Sequence, residues 1–349
     1  MCRIVGKALH EYGLSKNKNI AVYSMHDPKD AAAENIYFPA EIFCGYNAAK
    51  ITFIKQAVAE GRKSEIVILS HINLLLVAWL IKKVNPSTKI ILMAHGIEVW
   101  KPLTKRQRIM LDACDKIASV SSFTKDKIAN LHHIDACKNF VLNNCIDPFL
   151  IKPNEKKRDE ILVKRYGIKK EDTVLLTLTR LSIKDRYKGY DFVLDALKNI
   201  VKKYPTLKYL LAGTYEEKEK INIENKIANF NLVNNVIITG FIAEEELSSL
   251  FSIADVYIMP SVKEGFGIVF IEAMYYGVPV IAANIDGSTD ALLQGKLGLL
   301  IPPENPTKIQ EGIEMILDNK NKFTPDFNLL IENFGYTAYK RKLEELLSS

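Results

Sequence analysis

Short apolar runs rich in Val, Ile and Leu alternate along the chain with longer stretches in which apolar residues recur every three or four positions. The short runs read as strands of a parallel sheet and the longer stretches as its crossover helices. In the first half strands are expected at 20–23, 65–69, 89–94, 116–120 and 139–142. In the second half they are expected at 173–179, 207–212, 236–239, 256–259, 278–282 and 298–301. The fold class is α/β, with two doubly wound sheets. Asn143, Asn144, Asp147 and Pro148 favour turns, and the charged stretch 152–172 needs solvent. The expected domains are therefore 1–146 and 147–326, with residues 327–349, mostly one helix at 327–347, returning to the first. Ligands of such sheets bind beyond the carboxyl ends of the strands, so two facing sheets would share one cleft.

Composition narrows the class without naming a chemistry. The 349 residues are 48% hydrophobic and 25% charged, as in a folded two-domain protein. The longest apolar run, 74–81, is far shorter than the roughly 18 residues that suggest a bilayer span, and the first ten residues read as an amphipathic helix rather than a leader. The expected location is the cytoplasm, at the inner face of a membrane. Five scattered cysteines without a C-x-x-C pair argue against a disulfide framework and a zinc site. Of the net charge of +6, residues 1–150 hold an excess, with 20 Lys and Arg against 13 Asp and Glu. Lys101, Lys105, Arg106 and Arg108 are the densest cluster. That face suits anionic headgroups or an acidic acceptor, or is simply a solvated helix face.

Glu264 and Glu272 carry the first chemical signal. They lie in a segment otherwise nearly all apolar, running up to the stop at Gly277, Val278 and Pro279. A helix starting near Gly267 places Ile268, Val269, Tyr275 and Tyr276 around Glu272 on one face. A half-buried carboxylate there needs polar partners or a ligand such as a diol. Gly265 and Gly267 leave backbone N–H groups bare at the helix N-terminus, which favours an anion such as phosphate. Earlier, Arg180 and Lys188 follow the strand 173–179, where two cations suit a diphosphate. Lys184 and Arg186 between them fit a solvated basic loop.

The ordered set Arg180, Lys188-Gly189, Leu211-Ala212-Gly213, Gly240-Phe241, Glu264 to Glu272 and Asp286-Gly287-Ser288 closely resembles the retaining glycosyltransferases of family four, in glycosyl transferases group 1. The resemblance covers most of the chain and is strongest over 173–303. It implies the GT-B fold, two Rossmann-like domains facing across a cleft. It also implies that Arg180 and Lys188 hold the donor diphosphate, Glu272 the ribose hydroxyls and Glu264 hydroxyls of the donor sugar. Gly265, Phe266, Gly267 and Ile268 would add backbone contacts, with the base near Gly240, Phe241 and Ile242. His95, emerging at the end of strand 89–94, matches a histidine beside the transferred sugar; its competing account is a satisfied structural histidine. His71 has a weaker claim, and His132 and His133 read as surface.

The implied reaction moves a hexose from a nucleotide-diphosphate sugar, of UDP or GDP type, to a glycan or lipid-linked acceptor with retention at the anomeric carbon. No covalent nucleophile is evident and no Asp-x-Asp motif is present, so the two cations are expected to replace a metal, and no cofactor is expected beyond the donor. Glu264 and Glu272 binding a metal is the alternative. Nucleic acid is not an expected partner. Relatives normally begin with a strand and a glycine-rich loop before a helix resembling 3–12, so the first domain is expected to lack its first strand. Gly287-Ser288 departs from the two glycines common in relatives, with Asp290 available as the following acid. Rival readings are a non-catalytic sugar-nucleotide or partner-binding protein and another GT-B enzyme such as an epimerase or a phosphorylase. A dinucleotide-dependent dehydrogenase fits least, since no Gly-x-Gly-x-x-Gly follows a strand.

Overall fold

The computed structural model describes residues 1–31, 35–151 and 157–349. It divides into two compact units, Met1–Pro148 with Tyr336–Ser349, and Phe149–Gly335. Part of the charged stretch expected after the boundary, 152–156, lies outside the described residues. The expected single helix over 327–347 is two helices, Phe327–Phe334 in the second unit and Tyr336–Ser348 in the first. Gly335 ends the former with an extended backbone (φ −68°, ψ 154°), and a Cβ there would meet Ile331 O at 2.5 Å.

In the first unit β1 (Val22–Ser24) pairs in parallel with β2 (Phe43–Gly45). A separate parallel sheet runs β3 (Ile66–Leu69), β4 (Lys89–Ala94), β5 (Lys116–Ser119) and β6 (Asn139–Val141) in that order. The sequence reading has no counterpart of β2, a three-residue strand with too few positions for a period to show. Among the described residues no ladder joins the β1-β2 pair to the β3–β6 sheet. Alternation sorts β4 cleanly. Ile90, Leu92 and Ala94 pack with Leu75, Ala78 and Ile81 of the helix Leu75–Val84. Ile91 and Met93 face the helix Cys2–Lys16 through Ile4, Val5 and Ala8, and the returning helix through Tyr339, Leu343 and Leu346.

The second unit holds one six-stranded parallel sheet, from β7 (Thr173–Leu178), β8 (Leu207–Ala212), β9 (Val236–Gly240), β10 (Val256–Met259), β11 (Val280–Ala283) and β12 (Leu299–Ile301). Their spatial order is β12-β11-β10-β7-β8-β9. The helices Tyr190–Lys203 and Pro306–Asp318 bury Val193, Leu197, Ile200, Ile309, Ile313 and Ile316 against Leu175, Leu211, Ile258 and Ile281. From β7 the chain winds outward to β8 and β9, then returns to the far side of β7 as β10. The switch point therefore lies between the carboxyl ends of β7 and β10, where such sheets leave a crevice for a ligand.

Candidate active site

Two loops leave that switch point. After β7 the chain carries Arg180, makes a 3-10 turn over Ile183–Lys188 and enters the helix Tyr190–Lys203 through Gly189. Gly189 has φ 84°, and a Cβ on it would lie 2.3 Å from Pro260 O, so only glycine lets this loop lie against the segment that follows β10. Val262 N donates to Tyr187 O at 2.9 Å, stitching the two segments together.

Lys188 and Glu264 close the junction. Lys188 Nζ reaches Glu264 Oε2 at 2.5 Å, with only 20% and 15% of the two side chains exposed. Burial pushes the Lys188 ammonium down, but the Glu264 charge and hydrogen bond outweigh it, and the net shift is upward. The two groups expected to meet separate parts of a donor thus meet each other. Arg180 lies elsewhere on the loop: its Nε donates to Asp185 Oδ2 at 2.7 Å, its side chain is 61% exposed, and Ser182 Oγ shares the same carboxylate at 2.6 Å. Burial raises the Asp185 pKa, the bonds from Ser182 and Arg180 lower it, and the lowering prevails.

Arg186 is 46% exposed, as a loop cation would be, but it is also paired. It makes two bonds to Glu219, Nε to Oε1 at 2.7 Å and Nη2 to Oε2 at 2.8 Å, and the Glu219 side chain is buried. Tyr190 and Asn222 donate to the same carboxylate. A buried carboxylate on the helix Glu217–Asn229 required such a partner, and the loop supplies it. Lys184 is exposed, as a loop cation would be.

The turn after β10 is held from β11. Asp286, fully buried, accepts from Glu264 N at 2.7 Å and Ser288 N at 3.0 Å, while Gly287 N donates to Glu264 O at 2.9 Å. A Cβ on Gly287 would sit 2.0 Å from Gly265 O, so the first glycine of the expected pair is the one that packing demands. Gly265, Phe266 and Gly267 are buried, and Gly267 (φ 84°) opens the helix Ile268–Tyr275 without a side-chain cap. Phe270 N donates back to Gly267 O at 3.0 Å, and the N–H groups that precede it in a helix lack an intrahelical acceptor. The Phe266 ring packs edge-on to Phe334 at 5.4 Å, leaving only its backbone to a ligand. Glu272 is half-buried, with Ile268, Val269 and Tyr275 half-buried and Tyr276 buried on the surrounding face. Burial raises the Tyr276 pKa, and the Glu272 charge adds to it.

At the end of β9, Phe241 and Ile242 part company: Phe241 is 73% exposed and Ile242 is buried. Gly213 N donates to Gly240 O at 2.9 Å, and Tyr215 lies 3.8 Å from the Cβ position of Gly240. Tyr215, partly exposed beside Phe241's turn, escaped the sequence reading, although it stands just beyond the end of β8 at Ala212. Asp185 escaped it too, while Asp286 stood in the ordered set without a role. An open concavity lined by Lys220, Glu224, Ile227, Val233, Val236 and Ile238 contains none of the expected site residues.

His95 belongs to the first unit, at the end of β4. Its Nε2 bonds Ser70 O at 2.8 Å, and a carbonyl only accepts, so Nε2 carries the proton and Nδ1 of the neutral ring is an acceptor. Glu98 Oε1 accepts from His95 N at 2.5 Å and Gly96 N at 3.2 Å, fixing the turn. Among the described residues no group of three or more His, Cys, Asp or Glu could hold a metal ion, and no helix is long and apolar enough to cross a membrane.

The family model for glycosyl transferases group 1 matches residues 158–341. The chain belongs to this family. The matched stretch contains every expected site residue except His95. This glycosyltransferase-family chain is 28% identical over 248 residues to the GDP-mannose-dependent alpha-(1-6)-phosphatidylinositol monomannoside mannosyltransferase of Mycobacterium tuberculosis, covering 68% of this chain and 62% of that one. It is 26% identical over 205 residues to an uncharacterized glycosyltransferase of Methanocaldococcus jannaschii, covering 58% of this chain and 51% of the other. The chain thus spans between half and two thirds of these curated relatives. Among solved structures, Anabaena HepE in complex with UDP and glucose superposes with a TM-score of 0.77 at 17% identity, over 99% of this chain and 95% of that one. The lipopolysaccharide outer core galactosyltransferase WaaB gives 0.70 at 16% identity, over 99% and 94%. The fold is GT-B, two parallel-sheet α/β domains.

Proposed function

We propose that the chain transfers a hexose from a UDP- or GDP-type sugar to a glycan or lipid-linked acceptor, with retention at the anomeric carbon and without a metal. The observation that carries this reading is the Lys188–Glu264 pair. It joins the loops after β7 and β10 at the switch point, beside a glycine-opened helix N-terminus and one helical face from Glu272. A donor diphosphate placed there meets the Lys188 ammonium and the first-turn N–H groups, Glu272 meets the ribose diol, and Glu264 meets a sugar hydroxyl. Arg180, exposed and held by one nitrogen, has donors left for the same diphosphate. Phe241 and Tyr215 offer ring faces for a base.

In the transfer the bond from the anomeric carbon to the diphosphate oxygen breaks and a bond to the acceptor oxygen forms on the same face. The departing diphosphate takes the acceptor proton. Each cation aimed at that leaving group would contribute about 2 to 4 kcal/mol to barrier lowering. For His95 we keep the role of a hydrogen-bonding group, its Nδ1 accepting from a sugar or acceptor hydroxyl; with Nε2 given to Ser70 O, a carbonyl oxygen is not a partner for it. The cluster Lys101, Lys105, Arg106 and Arg108 is exposed, with exposed Ile109 among it, and suits an anionic membrane face that presents a lipid-linked acceptor in envelope polysaccharide synthesis. Co-sedimentation with anionic but not neutral vesicles is expected, and equal recovery with both would remove the membrane role.

The direct test is incubation with UDP- and GDP-hexoses and glycan acceptors, followed by NMR of the anomeric proton. Transfer with retained configuration, undiminished in excess chelator, is expected. An inverted product or loss of activity in chelator would refute the mechanism. A non-catalytic sugar-nucleotide-binding protein is the second reading, favoured by Lys188 being neutralised by Glu264 before any donor arrives; donor binding with neither transfer nor hydrolysis would select it.

A further inference from the structure

The Glu264 turn depends on a carboxylate that the donor reading does not use. Asp286 is fully buried, follows β11, and spends both oxygens on backbone N–H groups: Oδ2 on Glu264 and Oδ1 on Ser288. Gly287 N holds the carbonyl of the same Glu264 at 2.9 Å, and Thr289 Oγ1 donates to Asp286 O at 2.9 Å. Glu264 is thereby gripped at its N–H and its C=O by two consecutive residues, and only its side chain is free to turn toward Lys188. We propose that Asp286 is a positioning residue that sets the Glu264 turn, and through it the Lys188–Glu264 pair, for the donor sugar. This rests on the functional reading above.

The chemistry makes the role specific. Asparagine has nearly the same shape but presents an NH2 where one backbone N–H now finds an oxygen, so one of the two anchors is lost. A protonated carboxylate would have the same defect. Burial raises the Asp286 pKa to about 6 against the lowering effect of its bonds with Ser288 and the Glu264 backbone. The charged group acting on it is Glu264, which adds to the upward shift and is itself paired with Lys188.

The test is calorimetric binding of UDP- and GDP-hexoses to the full chain, with parent, Asp286→Asn, Glu264→Ala and the double variant compared. The sugar nucleotide is a pyrophosphate diester with no proton to lose near pH 6. Asp286→Asn is expected to weaken binding about tenfold, yet less than twofold further in the Glu264→Ala background, because the role passes through Glu264. Equal losses in both backgrounds, or none in either, overturn the positioning role. Should Asp286→Asn fail to fold, parent and Glu264→Gln are titrated instead: binding that weakens as pH falls through about 6 in both supports the role, and an inflection missing from either overturns it. A parent that binds no sugar nucleotide overturns the functional reading, and the positioning role with it.

Discussion

At the scale of single residues, the buried carboxylates show what the chain spends to hold its loops. Asp286 has a pKa raised from 3.8 to about 6, so the folded state binds its proton more tightly than the unfolded chain. Its contribution to stability is fully present below about pH 4 and is lost as pH rises through about 6, a change of about 3 kcal/mol. Chemical denaturation across that interval is expected to show Asp286→Asn losing this slope, and an identical slope in parent and variant would place the shift elsewhere. Residue types at this site were legible in the sequence, and partners were not. Glu264, Glu272, Arg180 and Lys188 stand out because charges interrupt apolar or strand-end segments. That Lys188 bonds Glu264, 76 residues away, and that Asp286 is buried under that turn, are consequences of packing between β7, β10 and β11 that no local spacing encodes.

At the scale of elements, the loop after β7 is fastened at three points: Gly189 against Pro260, Tyr187 against Val262, and Arg186 on Glu219. The third ties it to the helix Glu217–Asn229 through a side chain that is 1% exposed at its acidic end. Arg186→Ala leaves that carboxylate buried without its cation, and thermal or denaturant unfolding should register a loss of about 3 kcal/mol. A loss under about 1 kcal/mol would show that the Arg186 pair does not fasten the loop. Strands were the legible elements, because a buried parallel strand is a compact apolar run flanked by turns, and β3 to β12 fall within a few residues of expectation. What the pattern hid was β2, too short to show a period, and the break at Gly335, where an amphipathic pattern continues on both sides of a residue with extended backbone.

At the scale of the whole molecule, the order of strands turns local features into a site. Only because β10 returns to the far side of β7 do the two loops, a cation and a carboxylate, come within bonding distance at the carboxyl end of one sheet. The first unit is completed from the far end of the chain, Tyr339, Leu343 and Leu346 covering the face of β4 opposite the helix Leu75–Val84, with Lys340 bonding Glu11 at 2.8 Å. The most direct measurement is calorimetric titration of the parent chain and Glu272→Ala with UDP- and GDP-hexoses. A sugar nucleotide is predicted to bind the parent saturably and the variant at least tenfold more weakly, about 1.4 kcal/mol. Equal affinity in the two proteins, or no binding to the parent, would contradict the placement of a nucleotide sugar at the β7–β10 switch point.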